Sequence, residues 1–537
     1  MSHPNNEINR FGSAAFANEE DVSRAGMFQR GPNSLFLGFV DGRPIYWNGP
    51  GGLLLTAGAR SGKYRDLIAY NTCDGIYSGH LVVLDPKAED EAVSGISALS
   101  KRYKYAWNPH ALNGSRQDRC NVVEYVRADS PTLVSDVKVL CENLIPLSGS
   151  PQAMYFERRA RELMEAIILT LTRLDGVLTL PRLYRIINLI PGNTDEWLDF
   201  AFEMNESGFE IAQRVEEEIA ASRGKESGGM TGIFGELFKA IACLSDPRLM
   251  ASVSPPYTFS LAELTTSNTR CVLHIMPPAE FINAWAPVIK MIFVGLRIFK
   301  SRNQAAPPQT WIIDEAAQLD KFPLIVEAFS IGAGMGIRPV AVFQSADQMK
   351  AIGPQAENVI TASAACRVYF GIRDLSSATT LSRMLGAQTL EFDDMAAQAR
   401  ALHAKQQAMH ALMEGGDFIQ AGLDMAHHSQ MANLRTKQQR WLRTPDEILT
   451  MPGDRALVFA DGLPGAIEAH RAPYYEQRFM AGRFLPNPYH PPTDRVRVKT
   501  AFGMKERQVI TERVPESYAH LPQYRDGYWS YVEGFRP

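Results

Sequence analysis

Residues 53–70 read LLLTAGARSGKYRDLIAY, and this stretch decides the fold. Leu53–Thr56 is a short apolar run without alternation, the pattern of a strand buried on both faces of a sheet. Ala57 to Lys63 is a loop of small residues closing on Ser61-Gly62-Lys63, and Leu67 and Ile68 open a helical pattern behind it. In such a strand–loop–helix unit, backbone N–H groups surround a phosphate at the helix N-terminus and the lysine reaches the outer oxygens. Gly58, Ala59, Arg60, Ser61, Gly62, Lys63 and Tyr64 are therefore the candidate phosphate-binding residues. Against the pattern GxxxxGK[ST], the first position is Ala57 and the eighth is Tyr64. Alanine is less permissive of a tight turn than glycine, and a phenol cannot hold Mg²⁺ as an aliphatic hydroxyl does. Taken alone, the stretch also reads as a Gly-Lys turn with no ligand.

Further along, Trp311-Ile312-Ile313-Asp314-Glu315 is an apolar strand ending in two carboxylates. At such a strand end an Asp can bind a magnesium shell, making Asp314 the candidate metal residue, and the adjacent Glu can polarise an attacking water. Ala341-Val342-Phe343-Gln344-Ser345 is a second buried strand with an amide at its end, a position from which Gln344 can sense a terminal phosphate. Asp85-Pro86-Lys87 closes another apolar run, Leu81 to Leu84. An arginine supplied across a subunit boundary commonly completes sites of this kind, and Arg338, Arg367 and Arg373 flank strands after the acid pair. Each residue also has a plain structural reading, as a strand-end acid, a capping amide or a surface arginine.

The remaining β-type runs are Ser34 to Val40, Arg43 to Trp47, Cys271 to Met276, Thr310 to Ile313, Arg367 to Phe370 and Ala456 to Phe459, interleaved with helical patterns. That alternation predicts an α/β protein with a mostly parallel sheet. The stretch 150–245 breaks it: Phe156, Ala160, Leu163, Met164, Ile167, Ile168 and Leu171 follow helical spacing, and further helices are expected to 245. We read an inserted all-α domain there, dividing the α/β domain into 29–149 and 246–485. A polar N-terminal arm at 1–28, flexible or loosely docked, a helical excursion at about 392–440 and a Pro/Arg/Tyr-rich tail at 486–537 complete the expected organisation. The tail reads either as a segment that folds onto a partner or as an arm wrapping its own domain or a neighbouring subunit.

At 537 residues the chain is too long for a single small binding module, and 45% apolar with 21% charged residues excludes a disordered or fibrous chain. A net charge of -4 requires any nucleic-acid surface to be local. The closest of the six cysteines in sequence, Cys120 and Cys141, are too far apart for a compact disulfide framework, which points to a reducing compartment. The histidines, among them His403, His410, His427 and His428, lack metal-site spacing. The polar start carries no leader pattern, and the apolar runs Leu163 to Leu171 and Val288 to Phe299 are short or interrupted by Lys290 and Arg297, so no membrane span is expected.

Together these motifs resemble the type IV coupling proteins, the TraG/TraD-like conjugative DNA-transfer ATPases of type IV secretion systems. The resemblance runs from about Gly12 to Tyr475 and is carried by AGARSGKYRD, VVLDPKAED, WIIDEAAQLDKFPLIVEAFSIGAGMGIRPVAVFQSADQMKAI, ASAACRVYFGIRDLSSATTLSRMLG and LRTPDEILTMPGDRALVFADGLPGA. It implies a RecA-like P-loop NTPase domain, an inserted all-α domain and a hexameric ring with ATP and Mg²⁺ at subunit boundaries. Lys63 would bind phosphate, Asp314 magnesium, Glu315 the water, and Gln344 would be the sensor. The implied partners are single-stranded DNA with its relaxase, or secreted effector proteins, and components of the secretion channel.

The family's N-terminal membrane helices have no counterpart in this stretch of sequence, so the resemblance implies a form that is cytoplasmic or peripheral at the inner membrane, with a separate membrane-anchoring partner. Two alternatives stand beside the motor. One is a nucleotide-binding recruitment platform, catalytically weak at Tyr64. The other is a DNA pump of the FtsK/HerA type, against which the block from Trp311 to Ile352 argues.

Overall fold

The computed structural model describes residues 11–73, 77, 79–94, 102–192, 194–222, 228–265, 270–392, 395–413, 423, 426–427 and 436–537. The apolar runs form strands that in chain order are β1 (Leu35–Val40), β2 (Arg43–Trp47), β3 (Leu53–Ala57), β4 (His80–Leu84), β5 (Tyr103–Trp107), β6 (Cys271–Ile275), β7 (Gln309–Ile313), β8 (Ile337–Phe343) and β9 (Cys366–Phe370). After them come β10 (Ala387–Phe392), β11 (Thr436–Trp441), β12 (Arg455–Ala460), β13 (Ile467–His470), β14 (Arg495–Thr500), β15 (Gly503–Arg513) and β16 (Tyr528–Val532).

One eleven-stranded sheet has the order β2-β1-β13-β12-β9-β3-β8-β7-β4-β6-β5. From β9 to β5 every neighbouring pair is parallel, and from β9 outward to β2 every pair is antiparallel. Every residue of β3, β4, β6, β7 and β8 is buried, which is why these strands read as unbroken apolar runs rather than alternating ones. The pleat divides them between two cores. Leu54, Val82, Leu84, Trp311 and Ile313 pack beneath the helices Ile282–Arg302 and Pro323–Met335, while Leu53, Leu55, Leu81, Val83 and Ile312 pack on the other face with Leu67 and Val93.

Helices fill the long connection from β5 to β6, among them Leu133–Leu144, Pro151–Asp175, Leu180–Leu189, Asp195–Glu206, Glu210–Ser222 and Gly228–Ile241. Their apolar stripes, including Leu163, Ile167, Trp197 and Leu237, form a core that runs without a break into the first sheet core. Among the described residues, one helical span, Ala279–Arg302, is long and apolar enough to cross a membrane. Most of its apolar window, 72%, is buried inside the fold, where Ile289, Phe293 and Leu296 pack against the sheet.

The structure corrects the reading of the N-terminal arm. Residues 11–28 are docked: Val22 and Met27 lie in the second core, Ala17 N–H donates to Ala466 O, and a capping box between Asn18 and Asp21 starts the helix Glu19–Arg24. Residues 1–10 of that expected arm lie outside the described residues. The tail is also structured, as the antiparallel sheet β14-β15-β16. Its Val496, Val498 and Val532 join the second core, and Gln523 bonds the backbone of Arg102 and Lys104 beside β5, so the tail is seated on its own chain. Within the excursion, β10 and β11 pair antiparallel from Ala387↔Trp441 to Phe392↔Thr436, and Met395–Met413 is helical. The rest of it, residues 393–394, 414–422, 424–425 and 428–435, lies outside the described residues.

Candidate functional site

The order β3-β8-β7-β4 sets four parallel C-terminal strand ends side by side. The residues that leave those ends, Gly58 to Lys63, Gln344, Asp314-Glu315 and Asp85, therefore meet along one edge of the sheet, where open α/β sheets bind ligands.

The loop after β3 is held by close backbone contact. A Cβ at Gly58 would stand 2.2 Å from the carbonyl oxygen of Gly371, and one at Gly371, whose φ is +60°, would meet Ser61 Cβ at 2.5 Å. Both positions thus require glycine. Arg60 at φ +58° and Gly62 at φ +87° turn the chain into the following helix, whose first residues, Tyr64–Ile68, form a π-helical turn. Beneath the loop Asp66 Oδ2 receives Arg471 Nη1 at 2.8 Å, and the same nitrogen donates to Ser61 O at 3.0 Å. Arg471 also bonds the carbonyls of Gly453 and Arg455 and stacks on the ring of Phe370 at 3.7 Å. It ties the loop to β9 and to the β12–β13 hairpin.

Lys63 Nζ lies 2.7 Å from Asp314 Oδ1 and 2.7 Å from Glu315 Oε1. Gln344 Nε2 donates to the same carboxylate, 3.1 Å from Glu315 Oε2. Glu315 adopts φ +55°, a conformation that costs a non-glycine residue about 1–3 kcal/mol and is typical of functional sites. Burial pushes Glu315 up, but the Lys63 ammonium and the Gln344 amide outweigh it and hold the carboxyl below its ordinary value. For Asp314 burial wins over Lys63, with Glu315 adding repulsion, and the carboxyl is raised. Burial works against the Lys63 ammonium, yet the two carboxylates keep its pKa above the ordinary lysine value. One cation between two carboxylates leaves a single negative charge, a setting that suits a divalent cation beside a phosphate chain.

A cavity of about 140 Å³ opens at this point, lined by Tyr64, Asp85, Lys87, Glu89, Asp314, Glu315 and Gln344. Asp85 caps the helix Glu89–Ser94, its Oδ1 receiving Glu89 N–H and its Oδ2 Glu91 N–H. Burial and the neighbouring Asp90 push its carboxyl up to about 7 against the pull of those amides. The loop residues fit a phosphate ligand in a further respect: the hydroxyls of Ser61 and Tyr64 are buried with no hydrogen-bond partner among the described residues. At the eighth position the Tyr64 ring packs edge-on against Tyr474 at 6.4 Å, so the metal would be held by Asp314 rather than by a loop hydroxyl.

The three arginines separate. Arg338, the second residue of β8, is at the opposite end of the strand from Gln344; it is buried and bonds Asn33 O, Gly49 O and Thr310 Oγ1. This corrects its reading as an arginine acting across a boundary, since each guanidinium nitrogen is hydrogen-bonded within its own chain. Arg367, near the start of β9 in register with Leu54, lies over the Phe459 ring at 5.5 Å and away from the loop end of the sheet. Arg373 alone of the three is exposed at the loop end, its Nε 4.0 Å from where a Gly58 Cβ would be. Sequence reading missed Arg471, Asp66 and Gly371. The Gly after the apolar run Arg367 to Phe370 was a visible signal for the last; nothing local marks the other two.

The profile described as "Type IV secretory system Conjugative DNA transfer" matches residues 6–496. The conjugal transfer protein TraG of Rhizobium radiobacter is 23% identical over 429 residues, 77% of this chain, and the chain spans 61% of that protein's length. Among solved structures, the plasmid coupling protein TrwB in complex with ADP and Mg²⁺ superposes with a TM-score of 0.57 at 16% identity, covering 86% of this chain and 93% of TrwB. TrwB in complex with the GTP analogue GDPNP gives a TM-score of 0.58 at 17% identity, covering 86% and 96%. The sheet with its helical block is thus a RecA-like P-loop NTPase fold, and the chain belongs to the type IV secretory system conjugative DNA transfer family, the type IV coupling proteins.

Proposed function

We propose that this chain is the ATP-driven coupling protein of a conjugative type IV secretion apparatus. The observation that carries this reading is the seating of Lys63 Nζ 2.7 Å from both Asp314 and Glu315, with Gln344 bonded to Glu315. Lys63 would bind the outer phosphates, Asp314 would hold magnesium and Glu315 would orient and deprotonate the attacking water. When bound, magnesium supplies charge neutralisation on the phosphate chain. Gln344 follows β8 and its backbone N–H is fixed by Gln348 Oε1 at 2.8 Å, so a change at Glu315 is passed to the segment Ala346–Ala351.

TrwB has been captured with ADP and Mg²⁺ and with an ATP analogue, which supports the same ligands here. In this reading the chain acts as a homo-oligomeric ring, hexameric by family likeness, in the cytoplasm or at the inner membrane surface. It receives single-stranded DNA with its relaxase, or effector proteins, and passes them to the channel. DNA contact would be dominated by phosphates and strongly salt-dependent. Arg373, exposed beside the loop, is the arginine best placed to meet a nucleotide.

The test is steady-state ATP hydrolysis with and without single-stranded DNA, beside Lys63→Ala and Glu315→Gln. DNA-stimulated turnover that both variants lose supports the motor; no turnover at concentrations where the ring assembles sinks it. A second reading, a nucleotide-gated recruitment platform, is favoured by the half-buried Tyr64 ring, packed on Tyr474, at the position of the magnesium-binding hydroxyl. Under that reading Tyr64→Thr raises hydrolysis sharply.

A further inference from the structure

On the sheet face where Leu54 packs, β3 and β9 lie under a gap between two helices. Helix Ala356–Ser363 stands on one side of it and helix Leu375–Leu385 on the other, and a cavity of about 350 Å³ opens between them. Thr56 of β3 and Arg367 and Tyr369 of β9 form its floor, with Thr56 in register with Tyr369 and Leu54 with Arg367. Ala346 and Met349, from the segment that follows Gln344, also line it. None of the residues from Gly58 to Lys63 does, so this cavity is separate from the candidate phosphate site.

Two polar groups of the floor are left unsatisfied. Thr56 is 2% exposed, and its buried hydroxyl has no hydrogen-bond partner among the described residues. Arg367 makes no hydrogen bond or ion pair among the described residues either; its guanidinium lies over the Phe459 ring at 5.5 Å and keeps its N–H donors free. Arg338 and Arg471, by contrast, are each bonded to several acceptors. Tyr369 packs edge-on against the same Phe459 ring at 5.8 Å, which steadies the floor beside Arg367. A buried hydroxyl and a half-buried cation without acceptors cost free energy that an occupant would recover.

The rest of the lining sets the charge and body of that occupant. Met349, Leu381 and Met384 supply apolar surface around the few polar groups, the composition of a small-molecule site. Glu357 also lines the cavity, but it is paired with Lys350 at 3.7 Å. Arg367, the one cation of the lining, is left to balance a single negative charge, and its fork matches a carboxylate with two parallel hydrogen bonds. We propose that this cavity binds a small apolar monocarboxylate. Arg367 and the Thr56 hydroxyl supply donors to its carboxylate, and its hydrocarbon body rests against Met349, Leu381 and Met384. The site holds or fails independently of the phosphate site at Lys63.

The experiment is fluorescence titration of the full chain with 1-naphthoate and with its neutral counterpart 1-naphthamide. The expected result is one naphthoate bound per chain, about tenfold or more tighter than naphthamide, with Arg367→Met erasing that difference. Thr380→Trp, at an exposed position on the rim, should fill the cavity and abolish binding of both. Naphthoate that shows no saturable binding at millimolar concentration, binds no tighter than naphthamide, or is indifferent to either substitution would overturn the site. Photolabelling of the unsubstituted protein with 4-azidobenzoate gives a reading that needs no variant: label within 346–384 supports the site, and label confined elsewhere overturns it.

Discussion

Arg471 and Asp66 face each other at 2.8 Å with 2% and 1% of their side chains exposed, directly beneath the phosphate loop and 405 residues apart in sequence. Breaking a buried pair costs about 3–5 kcal/mol when the remaining charge is uncompensated; Asp66 keeps Arg65, whose Nε lies 2.6 Å from its Oδ1, so the loss here belongs at the lower end of that range. Arg471→Ala should lose about that much in urea unfolding and should also weaken nucleotide binding, because Ser61 O loses its donor. Arg471→Lys should recover little, since one ammonium cannot serve Asp66, Ser61, Gly453 and Arg455 together or stack on Phe370. Unchanged unfolding of Arg471→Ala would remove this clamp from the account of the loop.

Asp85 gives the site a pH signature. Its carboxyl is raised to about 7 in the fold, first by burial and then by Asp90, against 3.8 for the ordinary group. Between those values the native state holds a proton that the unfolded chain has released, so this group's contribution to stability falls as pH rises through the window. Asp85→Asn removes that slope while keeping one capping oxygen for the helix Glu89–Ser94. Urea unfolding at pH 5 and pH 7.5 should show the unsubstituted protein losing stability relative to Asp85→Asn as pH rises; parallel behaviour of the two would exclude the titration.

The loop also depends on a residue outside it. Gly371 follows β9, and its φ of +60° with Ser61 Cβ 2.5 Å from where its own Cβ would be leaves no room for alanine. Gly371→Ala should push the Ser61 segment away from its place and lower ATP affinity by about tenfold or more, an amount that about 1.4 kcal/mol of strain at the loop accounts for. The same substitution at Gly453, which has open space around it, should leave affinity unchanged. Equal effects at the two glycines would show that backbone flexibility in general, not the contact with Ser61, governs the site.

Much of this arrangement is legible in the sequence because the central strands are buried on both faces. Leu53–Ala57, His80–Leu84 and Gln309–Ile313 stand out as apolar runs, and the functional residues sit immediately after them. β5 is less visible because Tyr103, Lys104 and Tyr105 break the apolar run; Lys104 is nevertheless buried, its Nζ donating to Ser94 O. In β14 the period of two, Val496 and Val498 in and Arg495, Arg497 and Lys499 out, is masked by the charge run around it. The apolar residues of the arm at 11–28 follow neither a helical nor a strand period, and its docking depends on Val22 and Met27 finding a core made mostly of distant strands. Arg471 is invisible for the same reason: its partners are brought to it by the fold, and nothing in the sequence near it names them.

The tail supplies the last test, at the edge of the main sheet. Among the described residues β6 is the one strand paired with β5, and a parallel edge left bare would invite pairing with another chain; Asp118 covers part of it by bonding both backbone groups of Ala106. Gln523 meets that edge with its amide: Oε1 accepts Lys104 N–H at 3.2 Å and Nε2 donates to Arg102 O at 2.8 Å. Arg116 reinforces the seat by bonding both Pro522 O and Lys104 O. Leu521, Tyr524 and Trp529 form a small core behind it with Tyr103 packed against them. Gln523→Ala should leave a buried donor and acceptor unpaired, costing about 1–3 kcal/mol. Because the loss falls at one edge, amide exchange at Lys104 should quicken well before the central strand β3 does. Quickening shared equally by Lys104 and by Leu54 in β3 would mean that the tail is coupled to the whole sheet and does not guard its edge alone.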